Sequence, residues 1–251
     1  MANPMRILHI TDPHLYAQRA ARMRGVNTDD TFVATLKHAL ADPRPADIIL
    51  ATGDLVQDES RAGYARFQEL TAMPGLPVYC LPGNHDSPEI MREMLCEAPF
   101  QFCGVAERGG WSLVLLNTFA SNDDGGVLPP HELEFLEKTL VGTRSDHCLI
   151  ALHHQPVPMG SRWLDSVALR NADQFLAIID RHAHVRGIVW GHVHQASDRE
   201  RNGVRLMSTP STCAQFKPGS DNFALDTLPP GYRWIDLYAD GSIDTSVVWV
   251  K

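Results

Sequence analysis

Five short segments of this chain set carboxylate, imidazole and amide side chains close together: Asp12-Pro13-His14, Gly53-Asp54, Gly83-Asn84-His85-Asp86, His153-His154-Gln155 and Gly191-His192-Val193-His194. Side chains of these types ligate metals and carry acid–base chemistry. One segment alone says little. An Asp or Asn behind a strand commonly caps a helix or builds a turn, and a lone His is usually a hydrogen-bonded structural residue. The five together are more telling. Leaving aside His85, Asp86 and Gln155, and counting one histidine from the adjacent pair at 153–154, the segments offer four imidazoles, two carboxylates and one amide oxygen. That set is too rich in nitrogen for Ca²⁺ or Mg²⁺ and suits Mn, Fe, Co or Zn. It also exceeds one tetrahedral site. With Asp54 shared, two metals would each receive four protein ligands with room for water. Two divalent cations against two carboxylates leave a positive site, which attracts an anionic phosphodiester even on an acidic protein.

The elements that must position these groups are short apolar runs: 5–11 (MRILHIT), 46–53 (ADIILATG), 77–83 (PVYCLPG), 111–117 (WSLVLLN), 147–153 (HCLIALH) and 185–191 (VRGIVWG). Their length and composition predict buried strands. Each of the five polar segments stands at the C-terminal end of such a run, where the strands of an open α/β sheet line a ligand crevice. Helices are expected over 28–41, with Phe32, Leu36 and Leu40 at every fourth position. Others are expected over 88–95, behind Ser87 and Pro88, over 131–140, and over 171–182, where Asn171 and Gln174 have capping-box spacing. After about residue 203 the pattern becomes strands and turns, with Ala239-Asp240-Gly241 marking a hairpin. β–α units followed by a β-rich end predict an α/β fold of two packed sheets flanked by helices, one domain over 1–251.

A formal charge of −8 on 251 residues, without a basic array, argues against a nucleic acid polymer as partner. The five cysteines, Cys80, Cys96, Cys103, Cys148 and Cys213, are scattered without a CxxC pair, as expected of a reducing, cytoplasmic compartment. No signal-peptide pattern opens the chain, and no apolar run reaches the roughly 20 residues of a membrane span. Neither a GxSxG elbow nor a P-loop competes for the chemistry.

The run from Asp12 to His194 resembles the calcineurin-like metallophosphoesterase family. That resemblance implies a four-layer αββα sandwich with a dinuclear centre, most simply Fe or Mn, with Zn or Co as alternatives. Asp12, His14, Asp54 and His194 would hold the first metal, and Asp54, Asn84, His153 and His192 the second. The histidines of GHVH would then serve two metals, with Gly191 expected to free the backbone for the turn that aims them. Register with the following PVP favours His153 over His154 as ligand. Such a pair of metals would supply the nucleophile by lowering the pKa of bound water, a metal-bound hydroxide that would attack phosphorus. On that reading Asn84 and His85 would face the substrate, and His85 would hydrogen-bond the phosphoryl oxygen and assist the leaving alkoxide. Asp86 either orients His85 or caps the next helix, where Ser87 competes.

The segment 156–175 (PVPMGSRWLDSVALRNADQF), with GGVLPPHELEFLE and PSTCAQFKP, is similar to the bacterial class III 3′,5′-cyclic-AMP phosphodiesterases. This implies cyclic AMP as substrate and 5′-AMP as product, with Trp163, Asp165, Arg170 and Asn171 as groups that could shape the substrate side. A homodimer is compatible with this reading. Activity on glycerophosphodiesters or 2′,3′-cyclic nucleotides would use the same centre, and a non-catalytic scaffold of the same fold is the third alternative.

Overall fold

A computed structural model describes residues 3–251. Fourteen strands and six helices alternate along them. In the first six-stranded sheet, β1 (Met5–Ile10), β4 (Ile48–Ala51), β5 (Val78–Cys80) and β6 (Phe100–Phe102) run parallel. The hairpin of β13 (Gly231–Leu237) and β14 (Ile243–Trp249) extends the sheet antiparallel from β1. The second six-stranded sheet holds β8 (Trp111–Leu115), β9 (His147–Leu152), β10 (Val185–Trp190) and β12 (Val204–Ser208) in parallel. Its antiparallel edges are β7 (Gly104–Arg108) and β11 (Ser197–Arg201). A small hairpin, β2 (Arg22–Met23) with β3 (Val26–Asn27), stands apart.

Period-two alternation explains the layering. Ile7, Ile48, Leu50, Leu149 and Ala151 meet in the core between the sheets. Their neighbours Leu8, Ile49 and Ala51 turn outward to α1 (Thr28–Leu40), α2 (Arg61–Ala72) and α3 (Pro88–Met94). On the other sheet Ile150, Leu152 and Ile188 pack against α4 (Pro130–Gly142), α5 (Arg162–Asp165) and α6 (Ala172–Ile179). Strands buried on both faces show no polar alternation, which is why they read as continuous apolar runs. The result is the expected four-layer αββα sandwich of two mixed sheets.

Differences from the sequence reading fall where the local signal is faint. α2 was not predicted, because Arg, Gln and Gly63 dilute its apolar stripe. β11, Ser-Asp-Arg-Glu-Arg, was not either; it is an edge strand whose charged residues face solvent. Leu40 is 40% exposed, so the apolar face of α1 ends at Leu36 and Ala39. Asn171 does not cap α6: its amide bonds both Leu128 N–H and Leu128 O (3.0 and 2.8 Å), tying two loops together. Ser87, not Asp86, caps α3 by accepting from Ile90 N–H.

Candidate metal centre and active-site cavity

The exits of β1 and β4 are zipped side by side. Asp12 N–H donates to Gly53 O (3.0 Å), His14 N–H to Asp54 O (2.9 Å) and Leu15 N–H to Leu55 O (3.0 Å). Asp12, His14, Asp54, His192 and His194 all have positive φ, between 46° and 64°. Non-glycine residues hold this left-handed conformation at a cost, and it persists where the surroundings over-determine it. Here it folds each exit into a tight turn. Gly191 acts differently from expectation: its φ is ordinary, and its value is the missing Cβ. A Cβ there would lie 2.0 Å from Thr11 Oγ1 and 2.8 Å from Asp12 Oδ2. Gly83 is constrained alike, since its Cβ would fall 2.1 Å from Asp54 Oδ1.

These turns bring all seven sequence-predicted ligand residues together. One potential ligand atom each from Asp12, His14 and His194 lies within 4.8 Å of the others, and the same holds for Asp12, Asp54 and His153. His194 Nε2 is 3.3 Å from Asp12 Oδ1 and 3.2 Å from His14 Nε2. His153 Nε2 is 3.5 Å from Asp54 Oδ2 and 3.2 Å from Asn84 Oδ1. The far nitrogens are anchored: His153 Nδ1–H donates to Thr52 O (2.7 Å) and His194 Nδ1–H to Ala214 O (2.6 Å). With each Nδ1–H committed, both Nε2 atoms are turned to the cluster, as in ligating histidines generally. The Asp12 carboxylate is held by His192 N–H, 3.1 Å from both oxygens.

His85 sits at the rim, its N–H on Asp54 Oδ1 (2.9 Å) and its ring 5.2 Å from that of His14. Its orienting partner is Gln57, whose Nε2 donates to His85 Nδ1 at 3.0 Å and leaves the ring proton on Nε2. Asp86 does neither job the sequence suggested. It is buried under the loops, accepting from Leu55 N–H, Val56 N–H, Gly83 N–H and the Tyr64 hydroxyl (2.9–3.1 Å). It therefore splints the β4 exit to the β5 exit. Burial, reinforced by the neighbouring Asp54 charge, raises its pKa to about 6. His154 is spent on other partners, with Nδ1 on Thr118 Oγ1 (2.8 Å) and Nε2–H on Asp124 O (3.1 Å). The same is true of His9 below the centre, bonded to Thr52 Oγ1 and Thr209 Oγ1 (2.8 and 2.7 Å). Gln57 went unflagged because its only signal is a place three residues beyond Asp54.

The donor set fits a pair of transition-metal ions. Burial lowers the pKa of His14 to about 4 and of His192 to about 3, so both are neutral lone-pair donors at neutral pH. His14 Nδ1 and His192 Nε2 are buried without a hydrogen-bond partner. Burial also opposes charge on Asp54 and His153, yet their mutual attraction wins. Asp54 stays well below the usual carboxylate range, and His153 rises to about 9. Two buried carboxylates thus demand positive charge at this spot, and cations supply it more strongly than a proton does.

The centre forms the floor of a cavity of about 500 Å³. Its other side is apolar, with Trp163, Phe216 and Phe223, and Arg22 and Arg24 reach it from the β2–β3 hairpin. Of the four groups that could shape the substrate side, only Trp163 lines it. Asp165 accepts from Met159, Gly160 and Ser161 N–H (2.7–3.2 Å), Arg170 pairs with Asp123, and Asn171 serves the loops as described. Phe216, Phe223 and the arginines were missed because they come from loops and a two-residue hairpin without periodicity.

The calcineurin-like phosphoesterase family model matches residues 5–196, spanning every one of these ligand segments. The chain belongs to that family. It is 41% identical over 244 residues to the 3′,5′-cyclic adenosine monophosphate phosphodiesterase of Haemophilus influenzae, covering 97% of this chain and 89% of that one. Identity to the Escherichia coli K12 protein of the same name is 42% over 246 residues, with the same coverage. Among solved structures, the fold matches a dimetal phosphatase from Danio rerio with a TM-score of 0.64 at 13% identity, covering all of both chains. It also matches GAP50, the anchor in the inner membrane complex of Plasmodium, with a TM-score of 0.69 at 12% identity, covering 100% of this chain and 86% of that one. The fold by itself therefore does not separate enzyme from anchor; the ligand set has to. Among the described residues, no helix is long and apolar enough to cross a membrane.

Proposed function

We propose that the chain is a dinuclear, metal-dependent phosphodiesterase that hydrolyses 3′,5′-cyclic AMP to 5′-AMP. The observation that carries the reading is the convergence of seven metal-competent side chains, from separate strand exits, under a cavity with an apolar far wall. Similarity to named cyclic-AMP phosphodiesterases over 97% of the chain supports the substrate. Asp12, His14, Asp54 and His194 would hold one ion. Asp54, Asn84, His153 and His192 would hold the other, with Fe and Mn favoured by the mixed N/O set. Such a pair, when bound, acidifies water and neutralises phosphoryl charge.

The chain's own residues do the rest. Asn84 and His85 would face the phosphoryl group, and the Asp86 splint holds the loops of Asp54 and Asn84 in place. His85 presents its Nε2–H to O3′ and hydrogen-bonds the charge that grows there as the P–O3′ bond breaks, O3′ taking its proton from solvent; the 5′ ester stays intact in the product. Gln57 keeps that tautomer. The whole chain would act as one unit. The five free cysteines support a reducing, cytoplasmic setting.

The test is steady-state hydrolysis with Mn²⁺ of 3′,5′-cyclic AMP, cyclic GMP, 2′,3′-cyclic AMP and a glycerophosphodiester. Clear preference for 3′,5′-cyclic AMP is expected. Turnover confined to a glycerophosphodiester or the 2′,3′ isomer would sink the substrate assignment while keeping the centre. No turnover of any diester would favour an anchor.

A further inference from the structure

We infer that Trp163, Phe216 and Phe223, with Arg24 above them, form the subsite that binds the base of a cyclic nucleotide; this rests on the substrate class proposed above. The wall begins at the centre itself: the Phe216 ring stacks on the His194 imidazole, centroids 4.0 Å apart and planes 7° from parallel. From there it turns outward. Trp163 meets Phe216 and Phe223 edge-on at 5.2 Å each, and Phe216 meets Phe223 at 5.3 Å. A phosphate over the metal ligands and a base on this wall would be separated by one fused sugar ring, which is the layout of a 3′,5′-cyclic nucleotide.

Two features mark the wall as a binding surface rather than core. Phe223 is 42% exposed and lines the same cavity as the metal ligands, so part of its ring is open to whatever fills that cavity. The planar Arg24 guanidinium lies over the Phe223 ring at 4.6 Å, with no carboxylate partner among the described residues. It stands where a planar base would stack. Arg24 can slide off that face to meet the base edge or the phosphate, and the positive hairpin suits an anionic ligand on a chain of net charge −8. Stacking recognises any base by its π-face, so the wall selects base-bearing diesters over base-free ones; it does not by itself separate adenine from guanine.

The experiment uses the Mn²⁺-loaded enzyme and two substrates, 3′,5′-cyclic AMP and a base-free analogue, methyl riboside 3′,5′-cyclic phosphate. Phe223→Ala is expected to raise KM for cyclic AMP on the order of tenfold, the range of a lost base–aromatic stack. The preference for cyclic AMP over the base-free analogue should fall by the same factor, and Phe223→Tyr should restore it. Affinity for 5′-AMP by titration calorimetry should drop in parallel. An equal change for both substrates, or no change in 5′-AMP affinity, would overturn the subsite while leaving the hydrolase reading in place. A wild-type enzyme active on cyclic phosphates but without preference for the base-bearing one would do the same. A wild-type protein inactive on both would remove the proposed function and the subsite with it.

Discussion

The floor and the far wall of the cavity are built in opposite ways. The floor consists of buried side chains on strand exits, five of them at positive φ, with every turn pinned by backbone hydrogen bonds or by a glycine that cannot carry a Cβ. The wall is made of half-buried or exposed aromatics on loops and one short helix, with arginines on a hairpin two residues to a strand. Strain held in place by a packed frame fixes ligand positions to a fraction of an ångström, which metal chemistry needs. Loops outside that frame can change their side chains without disturbing it. One cavity thus separates the reaction from the choice of substrate.

Substitutions should respect that division. The largest effect is expected of Asp54→Ala, which removes a group facing both ligand clusters. Hydrolysis of every diester should fall to background, and the metal content, measured by plasma emission after dialysis, should fall from two ions per chain. Unchanged stoichiometry with residual turnover would mean that Asp54 is not shared. Next comes His85→Ala, at the rim of the floor. It should keep both ions and lose roughly 10²- to 10³-fold in kcat, the usual worth of a donor that stabilises charge on a leaving oxygen. The loss should shrink for a diester with a good leaving group, because less charge builds up on that oxygen. Gln57→Leu should cost roughly tenfold in kcat through a misaligned His85 ring, without change in metal content. Were Gln57→Leu to change KM for cyclic AMP alone, it would belong with the wall.

The same contrast explains what could be read from the sequence. Residues such as Asp12, Asp54, Asn84 and His192 were legible because each directly follows a buried apolar strand, and a short chain segment fixes where its own end goes. The two outer helical layers were partly legible through spacing and caps such as Ser87-Pro88. Roles that depend on long-range contacts were not. Asp86 looks like a cap or an imidazole partner from its neighbours in sequence, yet its four hydrogen bonds come from Leu55, Val56, Tyr64 and Gly83, all but the last far away along the chain. The assembly of Trp163, Phe216 and Phe223 joins residues up to sixty positions apart on irregular backbone, so no periodicity announces it. Gly191 shows the limit within a correctly read motif: its position pointed to a special backbone need, but only packing against Thr11 and Asp12 reveals that the need is space.

The smallest predicted effect concerns stability and sharpens the contrast from below the floor. His9 is fully buried, with both ring nitrogens bonded to threonine hydroxyls. Burial, helped by the Arg233 charge, lowers its pKa to about 3. An unfolded chain binds that proton near pH 6.5, so between pH 6.5 and 3 the unfolded state holds a proton that the folded state refuses. Stability is therefore full above 6.5 and declines as pH falls, by about 2 kcal/mol from this group at pH 5. His9→Asn should be less stable than the parent at pH 7, having lost a threonine bond, but its stability should fall less steeply on acidification. Urea midpoints of chelator-treated protein at pH 7, 6 and 5 would measure this, the difference between the two proteins cancelling the other histidines. Parallel pH profiles would mean that His9 takes up its proton within the fold, and that the layer beneath the floor yields as readily as the loops above it.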